Sequence, residues 1–331
     1  MGSTFKPFVY AAAFARGVLP CTSIDDGPIA RGEIRGAATW TPENSDGTFK
    51  GAMRAEDGLI LSRNTMSVRV GERAGLDAIA RVATAAGISD MPVQPAVYLG
   101  AFEARLTEVV AAYTVFANGG VRRQSYIVER IDDALGEVLY RAAHVESRAL
   151  DPGVCWEVTS ALAKVLERGT AASAKSMGFT KPAAGKTGTT NDFKDAWFVG
   201  YTGSLTCGVW VGLDRPQTIV AKGYGAALAL PIWAEVMGNA PPARYPAKPF
   251  APPVPLQHCT VCAVSSRLAT SGCERSGSLV ATDLPPSCVP DEVCGVHRGG
   301  ALAQDGQREN GPKRSLPQNL FRSFKKFFGG E

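Results

Sequence analysis

The chain has 331 residues, 45% of them hydrophobic, and a formal net charge of +4. That length and apolar content suffice for a full-sized core. The mild charge, with Lys and Arg spread among acids except near the C-terminus, excludes a nucleic-acid-binding surface, and no apolar run approaches the roughly 20 residues that span a bilayer.

The Ala-rich run at 8–15 favours helix. Pro7 has no amide proton and clashes with the carbonyl four residues back, so it belongs in the first turn. The helix therefore starts close to Ser3, and Ser3 and Lys6, three apart, share a face beside the positive end of its dipole. Residues 20–58, rich in Gly, Pro, Asp and Thr around Trp40, predict loops and short strands; 55–62 then reads as a helix that leaves Ser62 at a helix end or loop. Segments 75–86 and 107–117 carry helical apolar periodicity, the second stopped by Asn118-Gly119-Gly120. "YIVERIDDALGEVLYR" reads as a hairpin, and "WEVTSALAKVLERG" as a helix closed at Gly169. Three β-rich runs in 183–212 predict an antiparallel three-strand meander, followed by the helix "LALPIWAEVMG".

Three short motifs carry the chemistry. Ser3-x-x-Lys6 offers a hydroxyl beside an amine, although Ser323 and Lys326 repeat the spacing as a decoy. "LSRNTMSVRVG" adds Ser62 and Asn64, and "AAGKTGTTNDFKDAWFVGYT" adds Lys186, Thr187, Gly188 and Thr189. In this order the three are the signature of penicillin-binding proteins and class A β-lactamases. A serine hydroxyl needs an unprotonated neighbour to attack at neutral pH. Lys6 serves only if desolvation and a nearby positive charge, such as Lys186, lower its pKa. Taken one at a time the residues have plainer readings: a capping serine, strand-forming threonines, a bulge glycine, a solvated edge lysine.

With the flanks "AAYTVFANGG", "ERGTAASA" and "ALALPIWAEVM", residues 1–240 resemble the transpeptidase domain of class A, bifunctional penicillin-binding proteins. The resemblance implies an α+β fold of the penicillin-binding-protein and serine β-lactamase type, an antiparallel sheet flanked by helices. It also implies a glycosyltransferase domain, a membrane anchor and first sheet strands ahead of the Ser-x-x-Lys helix, so the sequence reads as an N-terminally truncated chain. The implied activity is D,D-transpeptidation of peptidoglycan stem peptides on the periplasmic face of the inner membrane, with β-lactams as acylating inhibitors and no cofactor. Ser3 would be the nucleophile and Lys6 its base, Ser62 a proton relay and Asn64 a substrate or Lys6 partner. Lys186, Thr187 and Thr189 would bind the terminal carboxylate, Gly188 would keep the strand edge open, and the backbone amides of Ser3 and Thr189 would form the oxyanion hole. Alternatives are a D,D-carboxypeptidase or β-lactamase-like hydrolase of the same fold, or a non-catalytic remnant that binds envelope partners. Glu43 and Glu103 are available carboxylates, but neither has the context of a deacylating base.

The Pro-dense residues 241–257 read as a linker. A Cys-rich module at 258–298 follows, with Cys259, Cys262, Cys273, Cys288 and Cys294 beside His258 and His297. Cys259-x-x-Cys262 ahead of Cys294-x-x-His297 has zinc-ribbon spacing. The extracytoplasmic location implied by the resemblance favours disulfides instead, with one of the five left over, and no metal ligand is assigned. Cys21, Cys155 and Cys207 read as small core residues. Residues 299–331 read as a disordered segment ending in a basic amphipathic helix at 320–328, either a foot on an anionic membrane or a frayed tail.

Overall fold

A computed structural model describes residues 1–302. The C-terminal helix expected at 320–328 lies outside the described residues.

Helix α1 (Lys6–Phe14) is buried along its whole length. This is why its sequence is apolar on every side rather than amphipathic. Two short strands, β1 (Ser23–Asp25) and β2 (Ala52–Arg54), pair antiparallel and lead into α2 (Ala55–Ile60), α3 (Asn64–Ala74) and α4 (Leu76–Ala86). α5 (Leu106–Ala117) stops where Gly119 and Gly120 adopt positive φ, as the Asn-Gly-Gly run predicts. β3 (Val121–Arg123), β4 (Arg130–Asp132), β5 (Val138–Arg141) and β6 (Glu146–Arg148) form two small ladders, β3 with β6 and β4 with β5; the second is the expected hairpin, turning at Gly136. α6 (Pro152–Arg168) begins at Asp151, whose carboxylate accepts from the amides of Gly153 and Val154 at 2.8 and 3.1 Å.

The expected meander is β7 (Ala184–Thr189), β8 (Asp195–Tyr201) and β9 (Thr206–Gly212), antiparallel in the order β7-β8-β9. α7 (Gly225–Asn239) packs on this sheet, with Trp233 wedged against Phe198 and Phe179. The core runs between that sheet and α1, and Phe5, Phe8, Tyr113 and Phe116 fill it as a connected ring cluster. Cys21 and Cys155 are buried in apolar surroundings and Cys207 is half-buried, in keeping with their reading as core residues.

Residues 240–256 hold no helix or strand. Beyond them β10 (Gln257–Cys262), α8 (Ser271–Arg275) and β11 (Leu279–Leu284) make a small unit in which β10 pairs antiparallel with β11. It docks on the main body: the Ser23 amide donates to Ala263 O, the hydroxyls of Thr22 and Ser266 lie 2.6 Å apart, and Ser287 Oγ donates to Asp151.

Candidate active site

Ser3 lies in a 3-10 turn (Gly2–Phe5), and Lys6 follows as the first residue of α1, its amide donating to the Ser3 carbonyl. Residues i and i+3 eclipse in such a turn. Ser3 and Lys6 therefore share a face as the sequence predicts, though on a tighter coil than an α-helix. Pro7 stands in the first turn of α1, as expected.

That turn lies directly against β7, and glycines make the approach possible. A Cβ on Gly188 would sit 2.8 Å from Thr4 Cγ2 and 2.9 Å from Met1 O, and one on Gly2, where φ is +57°, would sit 2.7 Å from Thr189 O. Gly188 thus has a packing duty on the Ser3 turn as well as the open strand edge expected of it. β7 pairs with β8 alone among the described strands, so its other edge faces Ser3.

The second motif arrives from the junction of α2 and α3. Ser62 takes φ +58°, a left-handed conformation that costs a non-glycine residue about 1–3 kcal/mol and clusters at functional sites. This turn aims the residue back at α1. Lys6 Nζ donates to Ser62 O and to Asn64 Oδ1, both at 2.7 Å, and lies 3.4 Å from Ser62 Oγ. Asn64 Nδ2 in turn donates to Glu43 O at 2.8 Å, which fixes the amide's orientation.

Lys186 is fully buried on β7, its Nζ 3.3 Å from Thr187 O and 3.5 Å from Thr187 Oγ1. Thr187 Oγ1 meets Thr170 Oγ1 at 2.7 Å, and Thr189 Oγ1 accepts from the Gly225 amide at 3.0 Å. Burial lowers Lys186 to about 7. Lys6 falls well below the ordinary lysine range, first through burial, then through the positive charges of Lys186 and Arg63, against a smaller opposing pull from Asp26. Burial and the neighbouring cations disfavour the ammonium form, and Asp26 only partly offsets them.

A cleft of about 540 Å³ collects Ser3, Ser62, Asn64, Thr187 and Thr189 on its walls, with Thr170 and Tyr224 beside them. Lys6, Lys186 and Gly188 are not part of that lining, so the structure brings all three motifs together but keeps both amines behind the hydroxyls. Of the two carboxylates, Glu43 reaches the cleft wall and Glu103 does not. A larger apolar groove of about 1250 Å³ between α5, β9 and the β4–β5 hairpin is lined by no Lys, Arg, Asp, Glu or His, which leaves the chemistry to the smaller cleft.

The support behind Ser62 and Asn64 was not visible as a motif. Arg63, 5% exposed, donates to Asp26 at 2.9 Å and to Asp46 at 2.7 Å, and also to Thr48 O. Burial pushes Asp26 up, but bonds from Arg63, Thr65 and Asn44 outweigh it and hold the carboxyl below its ordinary value. Asn44 Oδ1 accepts from the amides of Asn64 (2.7 Å) and Thr65 (3.3 Å), capping α3 from a remote loop. The available signal was an Arg between Ser62 and Asn64: a buried guanidinium needs carboxylates, and Asp26 and Asp46 lie upstream.

A fold with a serine-bearing turn on the edge of an antiparallel sheet, and a buried lysine bridging to a second serine and an asparagine, defines a class that the comparisons identify. Residues 1–238 match the family model "Penicillin binding protein transpeptidase domain", and the chain belongs to that family. Among curated relatives it is 37% identical over 244 residues to "Penicillin-binding protein 1A" of Neisseria lactamica, covering 71% of this chain and 30% of that protein. The chain thus spans about a third of the length of the curated relatives it matches. Penicillin-Binding Protein 1A from Haemophilus influenzae superposes with a TM-score of 0.76 at 25% identity, covering 89% of this chain and 49% of that one. PonA1 from Mycobacterium tuberculosis in complex with penicillin V gives a TM-score of 0.65 at 27% identity, over 76% of this chain and 71% of that one. The expected penicillin-binding-protein fold is therefore the observed one.

Proposed function

We propose that this transpeptidase-family domain crosslinks peptidoglycan stem peptides ending in D-alanyl-D-alanine, through an ester on Ser3, and that β-lactams acylate the same serine. The observation that carries the reading is the bonding of Lys6: a lysine stripped of water, beside a second cation, and tied to Ser62 and Asn64 on the wall that also holds Ser3. Such an amine is a base held ready at neutral pH.

Ser3 Oγ attacks the carbonyl between the two D-alanines as its proton passes to Lys6. The oxyanion is held by the amides of Ser3 and Thr189, whose turn and strand the glycines at 2 and 188 bring together. As the tetrahedral centre collapses, Ser62, 3.4 Å from Lys6 Nζ, relays that proton to the departing amine and D-alanine leaves. An amine from a second stem peptide then attacks the ester, forming the crosslink amide and returning the proton to Ser3. Thr187 and Thr189 receive the terminal carboxylate, and Lys186, buried behind Thr187, supplies a field rather than a direct contact. The open edge of β7 accommodates the extended peptide as an added strand. An extracytoplasmic site of action follows from that substrate; no described helix is long and apolar enough to cross a membrane.

Fluorescent penicillin is the test. The folded chain gains one adduct of penicillin mass on the peptide containing Ser3, and Ser3→Ala gains none. A label that persists in Ser3→Ala, or a folded chain that takes no label, overturns the assignment.

A further inference from the structure

Apart from the cleft, the described residues hold a tight cluster of metal-ligating side chains. Cys262 at the end of β10, Cys273 on α8, and Cys294 and His297 in the segment after β11 bring one donor atom each to within 4.8 Å of one another. We propose that these four side chains are a structural zinc site of the Cys3His type that holds the C-terminal unit together.

The geometry fits the ion. With Zn–S near 2.3 Å and Zn–N near 2.05 Å, a tetrahedron has sulfur–nitrogen edges of about 3.6 Å. His297 Nδ1 lies 3.4 Å from Cys262 Sγ and 3.7 Å from Cys294 Sγ. Donors to the sulfurs are in place as well: the Thr270 amide donates to Cys273 Sγ at 3.3 Å and the His297 amide to Cys294 Sγ at 3.5 Å. Such N–H···S bonds stabilise thiolates and orient them toward an ion. Thr270 Oγ1 also donates to His297 O at 2.8 Å, tying the histidine segment to the start of α8.

The identity of the ligands follows from strand parity. Side chains alternate across a strand, so Cys259 and Cys262, three apart on β10, face opposite ways. Cys259 packs with Leu19, Cys21, Val261 and Leu284, away from the cluster. The Cys-x-x-Cys pair therefore does not chelate as a unit, and Cys273 supplies the missing sulfur. The described cysteines are free thiols in the structure.

One side of the unit packs on Leu19 and Cys21 of the main body, and the cluster side has only a small apolar core of its own. Its inner buried cluster is Ala269 and the three ligand cysteines, with Leu279 and Leu302 packed alongside. Apolar burial on the cluster side is slight, the situation in which small units often rely on a metal or on disulfides. Binding exchanges three thiol protons for three Zn–S bonds, with His297 as the neutral fourth ligand. A four-ligand protein set leaves no open position, which makes the site structural rather than hydrolytic.

The test uses the full chain. Elemental analysis of protein purified in zinc-containing medium gives one zinc per chain. Denaturation in an alkylating agent without reductant modifies all eight cysteines. Cobalt exchanged into the site produces the visible bands of a tetrahedral thiolate complex. Cys273→Ser lowers zinc retention against a chelator by at least about tenfold, whereas Cys259→Ser and Cys288→Ser leave it unchanged. If Cys273→Ser does not fold, His297→Cys carries the test: it keeps one metal per chain and shifts the cobalt bands toward those of a four-thiolate site. A disulfide between any two of Cys262, Cys273 and Cys294, a folded wild-type chain without zinc, or zinc retention indifferent to Cys273 and His297 overturns the proposal.

Discussion

Substituting Gly188 by Ala isolates the contact between the Ser3 turn and β7. The new methyl would sit 2.8 Å from Thr4 Cγ2, 2.9 Å from Met1 O and 3.0 Å from Trp197 Cβ. Carbon pairs settle at about 3.5 Å or more, so the Ser3 turn must recede by about 0.7 Å or Trp197 must shift the sheet. Overpacking of this kind costs about 1–3 kcal/mol, a drop in thermal midpoint of about 2–4 °C per kcal/mol. The larger effect is expected on acylation, because the amides of Ser3 and Thr189, proposed as the oxyanion hole, sit on the two surfaces being pushed apart. A displacement approaching 1 Å costs about 100-fold, so the second-order rate of labelling by fluorescent penicillin falls about 10- to 100-fold, measured well below the melting transition. Gly238→Ala is the control: a Cβ there meets nothing within 4 Å, and in α7 the change is neutral or stabilising by up to about 1 kcal/mol. A Gly188→Ala labelling rate within about twofold of wild type would refute the claim that this close approach sets the site's geometry.

Two further predictions concern pH. Lys186 has a folded-state pKa of about 7, below its ordinary 10.5; the unfolded chain binds this proton more tightly, so the penalty on folding is complete below about pH 7 and vanishes above about 10.5. Lys186→Met therefore raises the melting temperature most at pH 6 and least at pH 10 while abolishing penicillin labelling, and a uniform or inverted pH dependence contradicts it. Glu157, on α6 with Oε1 buried and unpartnered, is raised from 4.5 to about 7 by burial and by Glu56. Its contribution to stability is intact below about pH 4.5 and lost as pH rises through 7, a span worth about 3 kcal/mol. Glu157→Gln accordingly gains stability over wild type at pH 8 and none at pH 4, by denaturant titration at both; equal effects at both values would assign the burden elsewhere.

What the residues announced depended on whether the relevant physics was local. The meander, the β4–β5 hairpin, α5 with its Asn-Gly-Gly stop and α6 all came from periodicity and turn chemistry within a few residues. The three short motifs were legible because each is local, and their order in the chain suggested one cleft, which they line or flank. α3 escaped notice: its start has no side-chain cap of its own, and the cap comes from Asn44, twenty residues upstream. The same distance hid Asp26 and Asp46 as partners of Arg63. In the cysteine unit, spacing pointed to Cys259-x-x-Cys262 as a chelating pair, whereas β10 is a strand and turns the two thiols to opposite sides.

The bonds behind Ser62 and Asn64 end outside the core. Asn44 is buried and Arg63 nearly so, yet Glu43, Asp46 and Thr48, which complete their bonding, stand exposed on one short loop. The alignment of the second serine is therefore underwritten by an exposed stretch, of which Glu43 and Ser45 reach the cleft wall and the rest lies outside it. Such a loop is not free to drift as surface loops usually are. Insertions at 43–48 slow penicillin labelling by disturbing both the cleft wall and the bonds behind it, whereas the same insertions at the tip of the β4–β5 hairpin pass without consequence for the cleft.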